Sequence, residues 1–228
     1  MTDASRSALL AMIRERLPQD PLVGAKVGAA EVKTRLLEVL ASPRGVQVES
    51  LLAVAGALAG QAAQAGLKAM AQAEGCPPVA PFQTVRTQDG RLFVVGEGLS
   101  RVLAAEPYSL WSLAAGEAMH IGCLKLPDLG ELFAYGIKSL GHDHFGKPLV
   151  PDHHQPNVVT LQWLSDLWPA LFPLAREFCP SATEWPILFS LVAQQVIRMS
   201  KGVIDPCLAL RIVMDTGIAG SKVLLPSN

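Results

Sequence analysis

Charge is scarce in this chain of 228 residues: Asp, Glu, Lys and Arg make up 17% of it, against roughly a quarter in typical soluble domains. The 19 basic and 20 acidic side chains nearly cancel, and no arm or tract concentrates one sign. Nucleic-acid binding draws on clustered Lys and Arg that neutralise phosphates, so no nucleic-acid partner is expected. Cysteine is sparse as well. Cys76, Cys123, Cys179 and Cys207 stand far apart, with no Cys-x-x-Cys pair to hold a metal or run disulfide exchange. That spacing predicts reduced thiols acting as small buried hydrophobes in a cytoplasmic protein. Arg14, Glu15 and Arg16 interrupt the first apolar stretch, so no secretion signal is expected there.

Several chemical signatures are missing too. No Gly-x-Gly-x-x-Gly or Gly-Lys-Ser/Thr loop occurs, and no succession of apolar strands, which argues against a doubly wound nucleotide fold. Without a Gly-x-Ser-x-Gly elbow, serine-based acyl transfer has no motif behind it. Neither an internal repeat nor a low-complexity linker breaks the chain, so residues 1–228 read as one domain.

Apolar residues, by contrast, make up half of the chain. A large core accounts for part of them, and an apolar interface of the kind obligate homodimers bury accounts for the rest. Apolar spacing predicts helices over 3–17, 29–41 and about 49–73, with Val32, Leu36, Val39 and Leu40 sharing one face of the second. The third has no charge from Ser50 to Leu67, long enough to cross a bilayer. Gln61, Gln64, Lys68 and Gln72 nevertheless recur at steps of three or four, which predicts a polar stripe on an amphipathic helix outside any membrane. Ala53, Gly56, Ala57 and Gly60 put small side chains on neighbouring turns of it. Another helix can approach closely there, either from within the chain or across a dimer seam.

The texture changes near residue 82. Beta-branched and aromatic residues flank Asp89-Gly90, which predicts a hairpin over 82–95. Further helices are expected near 109–120, 128–139, 161–178 and 185–200, and a last one from Asp205-Pro206 to Gly217. Pro169 and Pro173 are expected to kink or divide the 161–178 helix. The fold class is mainly α: a single compact helical domain with one small β-hairpin or antiparallel sheet.

Four of the five histidines fall within 142–154, in Gly-His-Asp-His-Phe-Gly at 141–146 and Pro-Asp-His-His-Gln at 151–155. Neutral imidazole and carboxylate suit a divalent ion such as zinc, so His142, Asp143, His144, Asp152, His153 and His154 are candidate metal ligands. Adjacent side chains on an extended strand point apart, which sets His153 against His154 as joint ligands. A second candidate is a pocket of Gln194, Gln195, Arg198 and Trp168, polar groups in an apolar setting. Arg211 and Asp215 stand at i, i+4, the spacing of a helix-surface ion pair.

By elimination of motifs, the expected function is non-catalytic: a cytosolic binding or assembly protein, acting as a homodimer on a protein partner or small molecule. The alternative is a metal-dependent hydrolase using the loop 142–154, its metal acidifying water with Asp143 or Asp152 as base.

Overall fold

Helix α1 (Asp3–Arg16) opens the chain and α2 (Val23–Val39) follows after a short turn, in a computed structural model that describes residues 3–225. Apolar spacing alone places the start of α2 six residues too late, because Gly24 and Gly28 look like loop residues. They are contact points. A Cβ on Gly24 would lie 2.2 Å from the Phe178 carbonyl oxygen, and one on Gly28 would lie 2.5 Å from Leu188. Val32 and Leu36 are fully buried on the expected face, whereas Val39 is half exposed at the helix end.

Helix α3 (Val48–Ala73) is the central element, packed on α7 (Thr160–Phe178), α8 (Glu184–Met199) and α9 (Pro206–Gly220). It is long and apolar enough to cross a membrane, and 94% of its most apolar window is buried inside the chain. Its small residues meet those of α9. A Cβ on Gly60 would lie 1.9 Å from the Gly217 carbonyl oxygen, one on Gly56 2.3 Å from that of Val213, and one on Gly220 2.3 Å from that of Ala57. Backbone thus touches backbone, and Ala53, Gly56, Ala57 and Gly60 are all buried. The close approach that suggested a dimer seam is made within one chain, because α9 carries glycines at the facing positions.

The expected polar stripe on α3 also lies mostly inside. Gln64 Nε2 donates to the carbonyls of Ser221 and Val223, both at 2.9 Å. The Gln61 amide faces the carbonyls of Gly220 at 3.1 Å and Val223 at 3.3 Å. Both glutamines are buried, satisfied by main chain that has just left α9, as buried amides must be. Only toward Gln72 does the stripe reach solvent.

The hairpin forms as the sequence predicts, β1 (Gln83–Arg86) antiparallel to β2 (Leu92–Val95), with Gly90 at φ +85 in the turn. A two-stranded ribbon is marginal alone. Here Val94 N–H donates to the Lys222 carbonyl at 3.0 Å and Phe93 bridges to Val223, so the segment after α9 edges the sheet. A single turn α4 (Glu97–Ser100) then passes into a π-helical turn, Arg101–Ala105.

Helices α5 (Leu110–His120) and α6 (Leu129–Lys138) are capped by Ser109 and Asp128, and α9 by Asp205, whose Oδ1 accepts from the N–H of Cys207 and Leu208. Helix α7 is not divided by its prolines. Pro169 and Pro173, four apart, both lie on its exposed side, where the carbonyls they leave free can be hydrated. Reduced cysteine is corrected for one pair: Cys123, just past α5, is disulfide-bonded to Cys207 in the first turn of α9. Packing of α5 on α9 brings together two cysteines that sequence separation hides. Cys76 is free and exposed, Cys179 free and buried.

Candidate functional site

Between α6 and α7 the chain makes only one 3-10 turn, Asp152–His154. A connection this long without structure of its own is uncommon in a compact domain and is usually functional. This one is held from several sides. Arg91 of the hairpin donates to the Gly141 carbonyl at 2.8 Å, and Phe93 meets Phe145 edge to face with ring centroids 4.9 Å apart. Tyr135 of α6 donates to the Lys147 carbonyl at 2.8 Å. The start of α3 grips the other half. Glu49 pairs with His154 Nδ1 at 3.0 Å, and Gln47 donates to the Gln155 carbonyl at 3.1 Å while accepting from Asn157 N–H at 2.7 Å.

From α9, Asp215 Oδ2 accepts the N–H of Leu149 at 2.8 Å. The surface ion pair expected here is a buried one: the Asp215 side chain is wholly inaccessible, with Arg211 Nε 3.6 Å from Oδ2. Burial pushes the Asp215 carboxyl up to about 6, against the opposing pull of the Leu149 N–H and the Arg211 charge. Among the described residues, Asp215 Oδ1 and Arg211 Nε have no hydrogen-bond partner. Burial, and then the Asp215 charge, also raise the Tyr135 phenol above its ordinary range.

These attachments shape a half-open groove of about 1060 Å³ along the loop. Phe145, Pro148, Leu149, Val159 and Leu161 supply apolar wall, while Arg91, Asp143, Lys147 and Gln162 supply charge and hydrogen-bonding groups. Gln155 lines it too, with its amide committed to the carbonyls of Pro148 and Val150 at 3.1 and 3.0 Å. The polar chemistry therefore rests on Arg91, Asp143, Lys147 and Gln162, set over a main chain held by these hydrogen bonds.

The six candidate metal ligands are not brought to one point. His142 and His144 stack, with ring centroids 5.4 Å apart and planes 16° from parallel. Imidazole lone pairs lie in the ring plane, so stacked rings offer no common point at the roughly 2.0–2.1 Å a zinc–nitrogen bond needs. His153 leans on His154 at 4.3 Å between centroids, and His154 is taken by Glu49. Asp143 and Asp152 line the groove without joining them, and no group of three or more His, Cys, Asp and Glu side chains converges among the described residues.

The C-terminal candidates disperse as well. Arg198 makes a two-point pair with Glu117 of α5, Nε at 2.8 Å and Nη2 at 2.6 Å. Trp168 stacks on Phe172 at 4.6 Å and packs on Phe189. Gln194 and Gln195 are half-buried, and none of the four lines the cavities described here.

Two further cavities had no motif to announce them. One of about 260 Å³ is lined by α3, α8 and the π-helical turn, and by Tyr108, which lies in the left-handed region at φ +60. The other, of about 440 Å³, lies between α4 and α6 and includes Lys222. Asp215 did leave a signal, a lone acid in the apolar run from Ile212 to Ala219. No protein-family model, curated protein or solved structure matches the chain.

Proposed function

We propose that this chain is a non-catalytic binding protein whose loop groove takes an extended segment of a protein partner. The attachment of the loop to α3, α6, α9 and the hairpin carries this reading, because a wall fixed in advance lowers the ordering cost of binding. The groove is open along its side and at the upper end of small-molecule pocket sizes, which suits a polymer better than an enclosed ligand. Its apolar wall beside groups of both signs suits a segment of mixed sequence. Catalysis by a loop-bound metal lacks comparable support, since the imidazoles pair off two by two.

Self-association belongs to the same proposal. Met119, Leu124, Met199 and Val203 are exposed apolar side chains near the disulfide and the Glu117–Arg198 pair, Leu124 to 99%. Exposed apolar side chains of this kind suit an association surface. A homodimer predicts twice the 24.3 kDa chain mass by light scattering, returning to one chain mass in Leu124→Glu/Val203→Glu.

The groove is tested with peptides selected from a random display library on the wild-type protein. They should bind at least about tenfold more weakly to Leu149→Arg, whose main-chain bond to Asp215 is kept. Selected peptides indifferent to that change defeat the reading.

A further inference from the structure

Lys222 follows the last turn of α9 and is held by its backbone on both sides, its N–H on the Ala219 carbonyl and its carbonyl on Val94 N–H, each at 3.0 Å. The residue is only 3% exposed. Gly136 of α6 lies beside its stem, where a Cβ would stand in ordinary contact with Lys222 Cε at 4.0 Å but clash with Ile218 Cγ2 at 2.4 Å. A buried ammonium ordinarily has a carboxylate or several carbonyls around it. Lys222 Nζ has neither a hydrogen-bond partner nor an ion pair among the described residues, and it is not one of their fully buried unpartnered atoms, so the stem is buried while the ammonium tip keeps contact with solvent.

What it has instead is an open-sided cavity of about 440 Å³ between α4 and α6, with Ala134, Ile137 and Lys138 of its wall exposed. Val95, Phe133, Ala134 and Ile137 make this cavity mainly apolar, and Ser100 adds one hydroxyl. Its other charged wall residue is Lys138, so the cavity holds two cations and no acid. Glu97, the acid on α4, is exposed and forms no part of the wall.

We propose that this cavity is a binding site for a small carboxylate with an apolar body, the ligand supplying the counter-charge that the fold withholds from Lys222. A neutral ligand of the same shape leaves the ammonium unpaired, so the site discriminates by charge. Burial has already moved the Lys222 amine down to about 8, which places its charge near the edge of loss in the empty cavity. A bound carboxylate stabilises the protonated form, and binding weakens as pH rises beyond that value. The site is separate from the loop groove, and either can fail without the other.

Hexanoate and hexan-1-ol serve as probes, titrated into the full chain and followed by calorimetry and by chemical shifts. Wild-type protein should bind hexanoate at least about tenfold more tightly than hexan-1-ol near neutral pH, with the preference lost at alkaline pH. Lys222→Met should lose that preference while melting no lower than wild type, because it removes a charge that burial already disfavours. Ile137→Glu provides the second arm, since Ile137 is half exposed and a carboxylate there satisfies Lys222 internally and blocks hexanoate. Equal affinity for the two probes, no hexanoate binding by wild type, or hexanoate affinity unchanged in either variant overturns the proposal.

Discussion

The carboxylate of Asp215 in α9 accepts the main-chain N–H of Leu149 at 2.8 Å, tying a core helix to the wall of the loop groove. Burial raises that carboxyl from 3.8 to about 6, so the folded chain takes up a proton there more readily than the unfolded chain. Between about pH 4 and 6 this group therefore makes stability fall as pH rises, and above that window its effect is constant. The lowered carboxyls of Asp20, Asp89 and Glu177 act in the opposite sense. Asp215→Asn removes this titration. Relative to wild type, its urea midpoint should rise across that window, by at most about 3 kcal/mol in equivalent stability. A difference that stays flat with pH contradicts the burial of this acid.

Thiol chemistry provides a second check. The native chain should offer one rapidly reacting thiol, Cys76, because Cys179 is buried and its thiol is pushed up to about 12. After unfolding without reductant a second thiol should appear, and after reduction all four. Cys123→Ser should cost about 2–5 kcal/mol of stability in oxidised protein, read from denaturant unfolding.

The crossing of α3 on α9 sets a steric limit. Gly60→Ala places a methyl group 1.9 Å from the Gly217 carbonyl oxygen and should cost about 3 kcal/mol or more. Gly116→Ala is the control, on the exposed side of α5 with nothing within 4 Å of the added carbon. It should gain about 0.5–1 kcal/mol through helix propensity. Thermal melts that rank the two alike refute the backbone contact.

Zinc added to untagged protein should bind weakly and below one equivalent, since stacked imidazoles share no ligand point. His142→Ala/His144→Ala should then leave both zinc uptake and melting temperature unchanged. A stoichiometric ion lost in that variant revives the hydrolase alternative.

Local chemistry was legible in the sequence wherever neighbours in the chain decide the outcome. Asp89-Gly90 announces its turn, and Asp205-Pro206 caps α9 as its residue types require. Apolar spacing misplaces the start of α2 because Gly24 and Gly28 have their reason in Phe178 and Leu188, remote in sequence. The spacing of Gln61 and Gln64 points to a polar surface stripe for a similar reason. An amide looks the same on paper whether it meets water or the carbonyls of Ser221 and Val223. The histidine loop was found as a segment, but whether its rings converge depends on clamps such as Glu49 and Tyr135 that no spacing rule contains.

One consequence of the central packing concerns synthesis. The glycines of α3 leave the ribosome well over a hundred residues before the α9 glycines they touch. At about 5–20 residues per second, the apolar flank of α3 stays uncovered for on the order of ten seconds. A nascent chain in that interval presents the kind of surface that chaperones hold, and the last helix to arrive is the one that closes it.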